Sequence, residues 1–218
     1  LPLLAFACLG ALAQAAEPAF RPLLDPQLSQ WEKWLGPVHR AYDLPGYVRG
    51  AKAKDDPVLG LNNDPLKVFT TRQQDGETVL HITGQVFGAL TTLKSYDNFQ
   101  VRTDDPVRKR TYDPQGKVTA VDARVWHGTD YHEKPSGEWN VIECFALDGD
   151  AVFRLNGRTV NVILNSRYRE KGSTTEVPLR SGQLQVQSEA AECEYRRMEI
   201  RTLSAWPADV AKDLPARK

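Results

Sequence analysis

The chain has 218 residues, 41% of them hydrophobic, which is enough for one domain with a substantial core. Its 28 basic residues balance its 28 acidic ones, so charge gives no case for a nucleic-acid partner or an anionic membrane surface. A small neutral ligand suits that balance better.

In chain order the first element is an apolar leader. LPLLAFACLGALAQAAEP has signal-peptide length and closes on Ala13-Gln14-Ala15, the small-x-small pattern that a signal peptidase accepts. Residues 1–15 are therefore expected to be a partial signal, with the initiating Met and a basic segment lying ahead of Leu1. The run is too short to span a bilayer, so the mature chain is expected to have no integral membrane segment and to be secreted or exported to a bacterial periplasm. Cys8 lacks a good lipobox, which argues against a lipoprotein anchor.

From Arg21 to Gly36 the apolar spacing and the pair Trp31, Trp34 predict one short helix or a turn-rich cap, kept short by Pro22, Pro26 and Pro37. Residues 40–66, with Gly46, Gly50, Gly60 and several prolines, read as a long surface loop. Strand patterns follow in series: KVFTT, then ETVLHIT after the turn Asp75-Gly76, then GALTT and NFQVR. Beyond Asp113-Pro114-Gln115-Gly116 come KVTAV, ARVWHGT, WNVIECFAL, AVFRL, TVNVILN, QLQVQS and CEYRRMEIRTL, with hairpin turns at Asp148-Gly149 and Asn156-Gly157. Only the polar tail after Pro207 has a weak helical period. The expected class is all-β, a jelly-roll or concanavalin-like β-sandwich over residues 67–206, with a cap and loop at 16–66 and a tail at 207–218.

Several residue groups could carry chemistry. Along the strand from Trp139, alternation places Trp139, Val141, Glu143 and Phe145 on one face. An aromatic ring beside a carboxylate suits a sugar, the ring covering C–H groups and the carboxylate accepting hydroxyl protons; the plain alternative is a core Trp139 and a Glu143 that salt-bridges at a sheet edge. His127, Asp130, His132 and Glu133 form the densest set of metal-type donors, in a loop that matches no standard zinc spacing and reads equally as solvated surface. Gln183, Gln185 and Gln187 alternate with Leu184 and Val186, ending at Glu189; a row of amides can read sugar hydroxyls or simply face solvent. Glu192 and Glu194 read as surface charge, and His39 and His81 as isolated structural or solvated residues. Cys144 and Cys193 could pair in an oxidising compartment if their strands lie side by side, or be two small buried hydrophobes. No nucleophile elbow, P-loop, dinucleotide glycine pattern or Cys-x-x-Cys occurs.

GEWNVIECFALDGDAVFRLNGRTV, VPLRSGQLQVQSEAAE and EYRRMEIRTL, with Gly137-Glu138-Trp139-Asn140, Leu155-Asn156-Gly157 and Gln187-Ser188-Glu189, resemble the C-terminal half of the 3-keto-disaccharide hydrolase family, a concanavalin-like jelly roll. The tract with Gly84, Gly88, Leu90, Thr91, Tyr96 and Phe99 resembles its N-terminal half. Between Phe99 and Glu138 the chain is shorter than relatives and lacks their Asn-Ser-Gly motif and their strand with an acidic residue close to a Gln, so a central segment is missing. The resemblance implies cleavage of a glycosidic bond in a sugar oxidised at C3, by elimination and hydration, which calls for a base, an electrophile, often a metal, and an acid. On this reading Glu143, His127, His132 and Glu189 are catalytic, Trp126, Trp139, Gln185 and Gln187 bind the carbohydrate, and His127, Asp130 and His132 hold calcium, manganese or zinc. Glu143→Gln would then abolish turnover at an unchanged melting temperature. The other reading, favoured by the missing motifs, is a lectin-like module that binds glycans without cleaving them.

Overall fold

The computed structural model describes residues 18–106, 125–127, 132–135 and 137–214. The leader expected at 1–15, the strand expected at KVTAV and Asp130 lie outside the described residues. Strands β1 (Arg21–Pro22), β2 (Trp31–Val38), β3 (Gly60–Leu61), β4 (Phe69–Gln74), β5 (Glu77–Ile82), β6 (Val86–Tyr96) and β7 (Phe99–Pro106) form the first half. The second half holds β8 (Val125–His127), β9 (Trp139–Leu147), β10 (Asp150–Leu155), β11 (Arg158–Ile163), β12 (Arg167–Arg169), β13 (Glu176–Pro178), β14 (Gly182–Ser188) and β15 (Cys193–Thr202), then one helical turn, α1 (Ala208–Ala211). The chain is all-β, as its alternating pattern predicts.

A large sheet runs β4-β5-β15-β7-β9-β10-β11-β8, with β1 added alongside β15; a small sheet runs β14-β6-β2-β3; and β12 pairs with β13. The hairpin turns read from sequence are present. Asp75 and Gly76, Asp148 and Gly149, and Asn156 and Gly157 all have positive φ, the requirement of the two-residue turns whose twist matches that of paired strands.

The two sheets pack face to face. Trp31, Leu35 and Val38 from β2 and Val86 and Leu90 from β6 meet Phe69, Leu80, Ile82, Met198 and Ile200 of the large sheet in one buried cluster. Leu184 and Val186 of β14 pack against the same cluster, so the Gln residues between them point outward, as alternation requires. A second cluster lies on the other face of the large sheet, where Phe145, Val152 and Val162 are covered by Leu203 and Val210, with Trp206 and Leu214 packed beside them. The segment expected as a polar tail is thus docked. Arg154, 5% exposed, anchors it by donating to Asp209 at 2.5 Å and Asp213 at 2.6 Å, and Asp213 also accepts from Thr159 Oγ1 at 2.6 Å.

The structure corrects the N-terminal expectation. Residues 23–30 form turns, but Trp31–Val38 is a strand at the heart of the small sheet, not a helix or cap. Trp31 and Trp34 are three apart, a spacing that puts two side chains on one face of a helix but on opposite faces of a strand. Trp31 is 7% exposed in the core and donates from Nε1 to the Leu23 carbonyl at 2.8 Å, whereas Trp34 is 46% exposed. Long-range pairing with β6 overrode the local signal. Residue 67 is accordingly no edge of the sandwich, because β2 and β3 belong to it.

Candidate functional site

Register across the small sheet builds a row on its outer face. Gln187 of β14 lies opposite Ala89 of β6, Ala89 opposite Trp34 of β2, and Trp34 opposite Leu61 of β3. Directly opposed residues share a face, so the small Ala89 leaves a hollow between the indole and the amide. Phe87 and Glu189 close the hollow at one end, Gln185 at the other, around a cavity of about 300 Å³. That is the low end of cavities that hold small ligands, about 300–1,000 Å³.

Gly36 sets the pose of the indole. A Cβ there would stand 2.9 Å from the Phe87 carbonyl oxygen and 3.1 Å from the Trp34 ring, so only glycine lets the ring lie along β2. Phe87 packs against His39, ring centroids 5.5 Å apart, and His39 in turn against Tyr42 at 5.9 Å. His39 Nδ1 accepts from the Ala41 N–H at 3.3 Å, which leaves Nε2 to carry the proton of the neutral ring.

The polar groups of the hollow are largely unspent. Gln185 Nε2 donates to Thr91 Oγ1 at 3.1 Å, and Gln187 Nε2 approaches Gln185 Oε1 at 3.5 Å, at the limit of a hydrogen bond. Glu189 is exposed and is the single titratable side chain among the described residues lining the cavity. An aromatic face, two amides and one carboxylate can hold a sugar ring by stacking on its C–H groups and exchanging hydrogen bonds with its hydroxyls.

The expected site residues fall into separate places. Gln185, Gln187 and Glu189 come together here, joined by Trp34 and Phe87, which sequence reasoning left out of the site. The clue to Trp34 was its odd spacing from Trp31 within a strand, invisible while that stretch reads as helix. Glu143 and Trp139 lie on the far side of the molecule, on the outer face of the large sheet. There Glu143 is half-buried between its register partners Arg102 and Arg154. Its Oε1 accepts from Gln100 Nε2 at 2.9 Å, and Gln100 Oε1 accepts from Arg201 Nε at 2.7 Å. The Trp139 ring is covered by the Arg196 guanidinium at 4.3 Å, a cation–π contact that occupies the face a sugar would use.

His132 belongs to a third place. Its carbonyl accepts from Asn156 Nδ2 at 2.8 Å, and that nitrogen also donates to Asn140 Oδ1 at 2.7 Å, which fastens the 132–135 loop to the start of β9. The backbone of Trp126 and His127 pairs with Val162 and Asn161 of β11, and their side chains lie outside the described residues. Among the described residues no three His, Cys, Asp or Glu side chains converge as metal donors, and Asp130 and the His127 side chain lie outside those residues. Cys144 and Cys193 do not pair, because β7 stands between β9 and β15 and both thiols are free of disulfide. Burial pushes the Cys144 thiol up to about 12. No helix among the described residues is long and apolar enough to cross a membrane.

Residues 100–201 match the family described as the 3-keto-alpha-glucoside-1,2-lyase-like domain. The fold is similar to that of a "putative glycosyl hydrolase" from Parabacteroides distasonis ATCC 8503, with a TM-score of 0.50 and 16% identity over 85% of this chain and 100% of that one. A second "putative glycosyl hydrolase" from the same organism aligns with a TM-score of 0.42 and 17% identity, over 62% of this chain and 83% of that one. At such identities the first likeness speaks for the fold alone. Comparison with curated proteins gives no match. The matched stretch runs from β7 to β15, so this part of the all-β sandwich is similar to the 3-keto-alpha-glucoside-1,2-lyase-like domain.

Proposed function

We propose that the chain cleaves the glycosidic bond of a 3-keto-glycoside held on the outer face of the small sheet. The observation that carries this reading is Glu189, an exposed carboxylate that accepts no hydrogen bond from the described residues, in one cavity with two amides and an exposed indole. A ketone at C3 acidifies the C2 hydrogen. Glu189 takes that proton, and the electron pair left on C2 delocalises onto the C3 oxygen as an enolate. Collapse of the enolate forms the C1–C2 double bond and expels the anomeric oxygen with its bonding pair, which takes a proton from water in the open cavity. The hydroxide left by that transfer adds to C1 and Glu189 returns its proton to C2, so one water is consumed and the carboxylate is restored. The amide N–H groups of Gln185 and Gln187 are placed to stabilise the enolate oxygen and orient the hydroxyls, and Trp34 holds the ring. The apolar leader supports export of this activity to the periplasm or beyond.

The test is release of the free sugar from a 3-keto-disaccharide by the purified chain and by Glu189→Gln. The wild type is expected to release it, and the variant to do so about 100-fold more slowly or worse, the scale of a lost general base, at an unchanged melting temperature. A variant as fast as the wild type would remove Glu189 from the reaction. The second reading is a sugar-binding module without turnover, favoured because Glu189 is the single titratable group among the described residues of the cavity lining. Saturable binding with no release would establish it.

A further inference from the structure

Between the sheets, where the β6–β7 and β9–β10 turns meet the start of β14, lies a second cavity of about 260 Å³. Its floor follows from register. Phe99, Ala146, Ala151 and Ile163 are opposed in turn across β7, β9, β10 and β11, so they share one face. Two alanines side by side on neighbouring strands leave a dent flanked by a phenyl ring and an isoleucine. Cys144 and Phe153 are opposed in the adjacent row and also line the cavity, and Leu184 of β14 walls it from the small sheet. The cavity does not touch the site on the outer face, since Leu184 points into the sandwich and Gln185 away from it.

The rim carries more acid than base. Asp97 and Asp148 are exposed there beside one guanidinium, Arg180, which donates to the Asp148 carbonyl at 2.6 Å, while Asp150 is buried and accepts from the Asn165 N–H at 2.7 Å. The lining carboxylates outnumber the one cation, which disfavours an anion, and the exposed Asp97 and Asp148 offer acceptors to a hydroxyl donor. The apolar floor would leave sugar hydroxyls without partners.

We propose that this hollow is a binding site for a small, flat, neutral aromatic alcohol, its ring on the alanine floor between Phe99 and Phe153 and its hydroxyl at the acidic rim. Binding here is independent of the cleavage reaction. The experiment titrates 2-naphthol into the full chain by calorimetry, with the anionic 2-naphthoate as its charged counterpart. Saturable binding of one 2-naphthol per chain is expected, with 2-naphthoate at least about 10-fold weaker. Ala151→Phe, which fills the dent, should abolish binding while sugar release at the outer face continues. Should that variant fail to fold, Ser181→Trp on the exposed rim narrows the same opening without disturbing the core, and should also cut binding. Non-saturable uptake, equal or tighter binding of 2-naphthoate, or binding unchanged in the folded variants would overturn the proposal.

Discussion

On the large sheet, Glu143 accepts from Gln100, Gln100 accepts from Arg201, and Arg102 bonds Glu199 alongside. On the small sheet, Glu189 stands with Gln185 and Gln187 beside an exposed indole, and its oxygens take no hydrogen bond from the described residues. The same side chains serve different ends on the two faces. A carboxylate whose acceptors are filled by neighbours is held in place and adds to stability; one left unfilled in a hollow has its hydrogen-bonding capacity in hand for a ligand. Partner satisfaction, more than residue type, separates the two faces.

The comparison can be broken by substitution on each side. Glu189→Gln should slow 3-keto-disaccharide cleavage by about 100-fold or more, and a rate assay showing no change would erase the functional contrast. Trp34→Ala should weaken saccharide binding by about 10-fold, close to 1.4 kcal/mol, measured by calorimetry; unchanged affinity would show that the indole is merely exposed. Glu143→Gln should leave the cleavage rate essentially unchanged and cost about 1 kcal/mol in urea unfolding, the worth of one hydrogen bond. Loss of turnover in that variant would restore Glu143 to the reaction and move the site to the large sheet.

Acid should sharpen the contrast further. The hydrogen bond from Arg72 holds Glu194 below its ordinary 4.5, and that from Arg154 holds Asp209 below its ordinary 3.8. A carboxylate whose folded-state value is depressed stabilises the fold above its unfolded value and loses that contribution as pH falls through the folded one. Unfolding free energy should therefore decline below pH 4.5, and Arg72→Met should make the decline shallower. An identical pH profile in the variant would show that Glu194 is not among the groups responsible. The exposed Asp209 adds little, because solvent screens it.

Much of the strand pattern was legible in the sequence, because alternation and three Asp-Gly or Asn-Gly turns are local signals that tertiary structure respected from β4 to β7 and from β9 to β11. The polar and apolar faces of β14 were legible for the same reason. What was not legible depended on partners distant in sequence. The strand β2 looks helical until β6 pairs with it, and only that pairing sets Trp34 opposite Ala89 and so beside Gln187. Nothing local tells Glu143 from Glu189; the sheet each strand joins decides which is enclosed by arginines. The separation of Cys144 from Cys193 is likewise a matter of strand order, since β7 intervenes.

That strand order also bears on how the chain is made. β15 lies between β5 and β7 inside the large sheet, yet is the last of the described strands in sequence. During synthesis from the N-terminus, β4–β5 and β7–β11 can each form hairpins, but neither half can join the other until residues 193–202 have left the ribosome. Until then both halves present an open strand edge, the kind of surface that pairs with neighbouring chains. The large sheet should thus close only once β15 is free to pair, and a holdase that shields those edges until then should raise the soluble yield.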